Sequence, residues 1–241
     1  MSFNGRMSRS AKAHGSRVVL ALDFAEPYDT RLKRAQKVLA RTKGSVAAVK
    51  VNHHLLLPYG LRGVTTLIEV CKDERLPLIA DLKMNDIEST NLNIVDSLLS
   101  FGFDAVIANP FVGKKEGLGK VVERMHARKG GVILLVYMSH RGADEGYGLR
   151  TEEGEPLYRV FARRAKDWGA DGVVVSAKSP RVIEETRRII GKDCMIFSPG
   201  IGPQGGDVSA GAGTGADFMI VGRSVTESPD PLRALKGLER G

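Results

Sequence analysis

The stretch "LPLIADLKMNDIEST", residues 76–90, decides how this chain is read. Its apolar part, ending at Leu78-Ile79-Ala80, is too short for a helix and continuous rather than alternating. That is the pattern of a parallel strand covered on both faces. A buried strand ordinarily ends in turn residues, yet this one runs straight into Asp81, Lys83 and Asp86. Asp81 and Lys83 are two apart, so on an extended backbone they point to the same side.

Working outward, seven more short apolar runs share this character: Val18–Leu22, Val46–Val49, Ala105–Ala108, Val132–Val136, Val173–Val175, Met195–Phe197 and Phe218–Val221. They are rich in β-branched residues and mostly bounded by Gly, Asp or Pro, as buried strands are. Helical spacing lies between them, in Leu32, Ala35 and Leu39 and in Leu61, Val64, Ile68 and Cys71. Gly102, Gly169 and Gly215 fall where helix C-caps belong. Eight βα units in 241 residues match an α/β fold of the single-domain (β/α)8 TIM barrel type, with a doubly wound open sheet as the alternative. The barrel is expected over 17–241. Residues 1–16, basic, Ser-rich and without an obvious apolar face, are expected to be a disordered tail. From Met138 to Pro156 a long polar, glycine-bearing connection follows the fifth run; such loops serve as lids or are disordered.

The totals narrow the function classes. Net charge is +8 and pI about 9.6, which favours acidic partners without choosing between a nucleic acid and a phosphorylated metabolite. Aromatic residues are only 6%, and many basic residues share helix faces with acids, so a nucleic-acid-binding surface is the remote alternative. Cys71 and Cys194 are far apart with no CxxC partner, which speaks against a disulfide framework or zinc site and fits a reducing, cytoplasmic setting. No apolar run approaches the ~18 residues of a membrane span.

In a parallel barrel, functional groups come from the C-terminal ends of strands, and this chain loads those ends. Asp23 ends the first run, Lys50 the second, Asp81 and Lys83 the third; Ser139 follows the fifth and Arg223 the eighth. Taken singly, each has a plain structural explanation: Asp86 suits a helix N-cap, and Asp81 with Lys83 suits a rim ion pair. Gathered at one rim, they point to a site. Two glycine-rich stretches, SPGIGPQGGD at 198–207 and VGRS at 221–224, follow the last two runs, where barrels commonly bind phosphate. Arg223 adds a guanidinium suited to phosphate oxygens.

These residues carry a resemblance. LALD at 20–23, the lysine of AVKV at 48–51, DLKMND at 81–86, MSH at 138–140, SPGIGPQGGD and VGRS resemble the orotidine 5′-monophosphate decarboxylase family, especially its archaeal form, in consistent order from about 17 to 235. The resemblance implies a cytoplasmic enzyme that converts orotidine 5′-monophosphate to UMP and CO2, the last step of de novo pyrimidine nucleotide synthesis. It implies neither metal nor cofactor. By position, Asp23 and Lys50 would hold ribose hydroxyls and the charge network, Asp81 would sit beside the departing carboxylate, and Lys83 would protonate C6. Asp86, Ile87 and Thr90 would serve the neighbouring subunit's site, which implies a homodimer. Ser139 would contact the pyrimidine and Pro199 line the ring pocket, while Gln204, Gly222 and Arg223 would hold phosphate.

The sequence departs from the family pattern at Glu88, where Pro or Gly is usual, at Arg141, where Pro is common, and in a longer 144–156 segment. The nearest alternative is a Mg²⁺-dependent sugar-phosphate enzyme of the same suprafamily, such as 3-keto-gulonate 6-phosphate decarboxylase or hexulose-phosphate synthase. Those resemble this chain in DxKxxD but typically carry a glutamate where Lys50 stands.

Overall fold

Side-chain alternation within the short apolar runs makes the architecture. In β1 (Val18–Ala21), Val18 and Leu20 pack outward against helices, while Val19 and Ala21 point into a second, inner core. The same division splits Val106 and Ala108 from Ala105 and Ile107 in β4 (Ala105–Ala108). Strands buried on both faces must be apolar at every position, which is why their sequence does not alternate. The structure, a computed structural model, describes residues 1–24, 27–200 and 215–240.

The remaining strands are β2 (Ala48–Asn52), β3 (Leu78–Met84), β5 (Gly131–Tyr137), β6 (Gly172–Val175), β7 (Met195–Pro199) and β8 (Phe218–Val221). All pair in parallel in sequence order and close into a barrel, with Leu20 of β1 opposite Val221 of β8. The fold is therefore the single-domain (β/α)8 barrel, and closure excludes the open sheet. Each expected run overlaps a strand, but β1 ends before Leu22, β2 begins two residues after Val46, and both β2 and β3 extend further, into their charged ends. Asn52 pairs with Asp81 in the ladder, so polar residues are carried on strand backbone rather than loop.

Two helix expectations need correction. Leu61, Val64, Ile68 and Cys71 do not share one helix. The chain forms α3 (His53–Gly63) and α4 (Thr65–Asp73), broken by the extended, positive-φ backbone of Gly60 (φ 63°, ψ 179°) and by Val64. Gly102 and Gly169 do cap α5 (Glu88–Phe101) and α8 (Leu157–Trp168) in the left-handed conformation, at φ 101° and 72°. Gly215 also has positive φ, but the segment before it lies outside the described residues.

The expected tail is ordered. Residues Phe3–His14 form α1, with Ser2 as N-cap and Gly15 as a left-handed C-cap. Phe3 and Met7, one turn apart, are fully buried in the barrel floor, where Phe3 stacks on Phe197 at 6.4 Å and Phe197 on Phe218 at 5.4 Å. Asn4 donates to the carbonyls of Asp171 and Asp193, and Arg6 pairs with Asp104 at 3.0 Å. Two large apolar residues are too few to produce a visible apolar face, yet enough to plug a barrel end.

The long connection after β5 is ordered as well. It contains α7 (Ala143–Tyr147), held by the Tyr137 hydroxyl donating to Asp144 at 2.6 Å and by Tyr147 packing on Tyr137 and Phe161. An antiparallel bridge, Arg150 to Pro156, closes its outer end.

Candidate active site

The inward alternation that fills the barrel with Val19, Ala21, Ala48 and Ile79 continues upward as Asp23, Lys50, Asn52 and Asp81. Strand periodicity thus delivers four polar side chains to the floor of one cavity of about 650 Å³ at the C-terminal mouth. Lys50 and Asp81 are only 4% and 6% exposed. Buried charges of this kind persist only when paired.

Their pairing is a chain of contacts. Lys50 Nζ lies 2.7 Å from Asp81 Oδ2 and 3.5 Å from Asp23 Oδ1. Lys83 Nζ lies 2.8 Å from Asp81 Oδ1, and Asn52 Nδ2 donates to Asp23 Oδ1 at 2.7 Å. Burial disfavours the Asp81 carboxylate, but Lys50 and Lys83 outweigh it and hold its pKa below the usual range. Burial likewise disfavours the Lys50 ammonium, and Asp81 and Asp23 outweigh it, so its pKa is raised.

Lys83 reaches Asp81 by a different route from the one expected. The ladder between β3 and β4 jumps from Asp81–Ile107 to Met84–Ala108, a bulge, and Lys83 adopts φ 47°. A lysine in the left-handed region is strained, and such strain gathers at functional sites where surrounding contacts hold it. The bulge re-aims Lys83 over the cavity, where its side chain stays about one-third exposed.

Ser139, Pro199, Gly222 and Arg223 also line the cavity. Gly222 sits beside Asp23: a Cβ there would make ordinary contact with Asp23 Oδ2 at 3.4 Å. Gln204 lies outside the described residues. Asp86, Ile87 and Thr90 do not line their own chain's cavity and are exposed. Asp86 is also not the helix N-cap; that position is Ile87, whose backbone N–H donates to Asp86 Oδ1 at 2.7 Å. Polar lining residues that sequence reasoning did not propose for the site include Asn52, Arg141, Lys178 and Glu227. Asn52 was legible in principle, standing two residues beyond Lys50 on the same strand face.

A profile of the Orotidine 5′-phosphate decarboxylase / HUMPS family matches residues 16–238. The chain belongs to that family. Among curated relatives it is 37% identical over 220 residues to orotidine 5′-phosphate decarboxylase of Pyrococcus abyssi, covering 91% of this chain and 95% of the relative. It is 35% identical over 219 residues to the protein of that name from Methanosarcina acetivorans, covering 91% of each. The solved orotidine 5′-phosphate decarboxylase from Pyrococcus horikoshii OT3 superposes with TM-score 0.74 at 32% identity, over 93% of this chain and 99% of that one. The structure of orotidine 5′-monophosphate decarboxylase from Methanocaldococcus jannaschii, complexed with inhibitor BMP, superposes with TM-score 0.77 at 28% identity, over 93% and 97%. The expectation of an enzyme of this family is met, across the barrel from residue 16 to 238. The profile match begins at residue 16, so α1 stands outside it.

Proposed function

We propose that the chain decarboxylates orotidine 5′-monophosphate to UMP and CO2 without metal or cofactor. The observation that carries this reading is the Asp23–Lys50–Asp81–Lys83 chain of contacts at the cavity floor. The C6–carboxylate bond breaks heterolytically, CO2 leaves, and the electron pair remains on C6. That carbanion has almost no delocalisation, so its stabilisation must come from a fixed positive charge. Lys83 supplies the charge, then transfers an Nζ proton to C6, and the resulting amine regains a proton from water. Asp81 sits beside the departing carboxylate and anchors Lys83, while Lys50 and Asp23 hold the ribose hydroxyls. Ser139 contacts the pyrimidine, Pro199 lines the ring pocket, and Gln204, Gly222 and Arg223 take the phosphate.

The engagement of Asp81 supports this over the metal-dependent alternative. Both of its oxygens already accept from ammonium groups, Oδ1 from Lys83 and Oδ2 from Lys50.

The active form in this reading is a homodimer. Asp86 and Ile87 follow β3, the strand that carries Lys83, and Thr90 lies in the first turn of α5, yet all three face solvent rather than their own cavity. Ile87 is 61% exposed, and Leu57, in α3 after β2, and Phe111, in the turn after β4, are 77% and 65% exposed. Large apolar side chains exposed in the three consecutive connections after β2, β3 and β4 suit a partner copy.

The test is Lys83→Ala. Turnover should fall about a thousandfold or more, since both charge stabilisation and the proton donor are lost. Binding of UMP, measured by calorimetry, should persist. Retained turnover would remove Lys83 from the mechanism.

A further inference from the structure

The charges at the cavity floor satisfy one another, but those at its mouth do not. With Lys50, Lys83, Asp23 and Asp81 in mutual contact, the lining still holds Arg141, Lys178 and Arg223 against the single carboxylate of Glu227. Among the described residues neither Arg141 nor Lys178 has a carboxylate partner. Both are exposed at the mouth. Unpaired cations around a concave mouth focus potential on an incoming anion.

Topology says which part of the substrate they face. Arg141 follows β5, Lys178 follows β6 and Arg223 follows β8, so they bracket the point where the chain leaves β7. A Cβ placed on Gly200 there would lie 3.6 Å from Lys178 Cγ, 3.7 Å from its Cε and 3.5 Å from Ser139 Cβ. The Lys178 stem therefore runs along Gly200. Asp81 and Lys83, the residues assigned to the reacting carbon, come from β3, and in a closed eight-stranded barrel β6 lies three strands away, on the far side of the axis. The ammonium of Lys178 thus sits across the cavity from the reacting end.

We infer that Lys178 and Arg141 form a second cationic grip on the nucleotide's 5′-phosphate, beside Arg223. This rests on the decarboxylase reading and adds two residues to its substrate site. Arg141 presents a planar fork to phosphate oxygens, and Lys178 a compact point charge. Arg141 comes pre-placed, because the Tyr137–Asp144 hydrogen bond and the packing of Tyr147 hold its loop. A held loop has less freedom to lose on binding.

The experiment is calorimetric titration of the full-length protein with UMP and, separately, with uridine, at several salt concentrations. The proteins are the wild type, Lys178→Ala, Arg141→Ala and the double variant, with Lys178→Arg as the charge-preserving control. Each alanine variant should weaken UMP about tenfold and flatten its salt dependence, with uridine unchanged within about twofold. Lys178→Arg should restore most UMP affinity. UMP affinity unchanged in the double variant would overturn the inference, as would parallel weakening of UMP and uridine. A wild type that binds no UMP would instead sink the decarboxylase reading, and this inference with it.

Discussion

Asp81 is the residue on which both lysines depend, since it accepts from Lys50 with one oxygen and from Lys83 with the other. Asp81→Asn removes the charge and leaves the Lys50 ammonium buried against Asp23 alone, 3.5 Å away. Breaking a buried pair in this way costs about 3–5 kcal/mol, and urea unfolding at neutral pH should show a loss of that order. The pH dependence follows from the sign of the shift. Asp81 has its pKa lowered in the folded state, so its contribution is present above the ordinary carboxylate value and fades as pH falls through the folded one. The stability gap between wild type and Asp81→Asn should therefore hold from neutral pH down to about 4 and shrink below it. A gap independent of pH would contradict the pairing. At this scale the sequence was legible in residue types but not in geometry. Two-residue spacing brought Asp81 and Lys83 together for the wrong reason; a bulge with Lys83 at φ 47° does so instead. Nothing in the local sequence marks it, because a lysine has no preference for that conformation.

The strands were the most legible elements, because burial on both faces forces continuous apolarity. The floor helix was the least. A solvent-facing helix normally shows three or four apolar residues per two turns, whereas α1 buries only two large apolar side chains, Phe3 and Met7, with the small Ser10 and Ala11 beside them. Phe3→Ala should cost about 3–5 kcal/mol by chemical denaturation, as for large aromatics truncated in a core. Gly131 is the other half of that contact: a Cβ there would lie 2.4 Å from Phe3 Cδ1, so Gly131→Ala should cost about 1–3 kcal/mol through overpacking. If both substitutions were neutral, α1 would not be the plug described. The connection after β5 was legible as long and polar but not as ordered. Its order comes from Tyr137, Tyr147 and Phe161, aromatics distributed over a strand, the loop and a helix, whose meeting only the tertiary fold creates.

For the whole molecule, the barrel and its family could be read from strand count and motif order, and the match over residues 16–238 agrees. Lys178 escaped notice because nothing but the closed barrel brings the end of β6 to the cavity that holds Lys50 and Asp81. The assembly is a matter for solution measurement. Ile87→Asp places a charge in the exposed apolar set and should convert a dimer to monomers in sedimentation, with activity lost together with Asp86 and Thr90. A dimer that persists would contradict the interface. The central claim, decarboxylation by a preorganised charge network, is tested most directly by following the absorbance of orotidine 5′-monophosphate with purified protein in excess EDTA. Rapid loss that is abolished in Lys83→Ala is the predicted result. No loss with EDTA, and none when Mg²⁺ is restored, would contradict the claim.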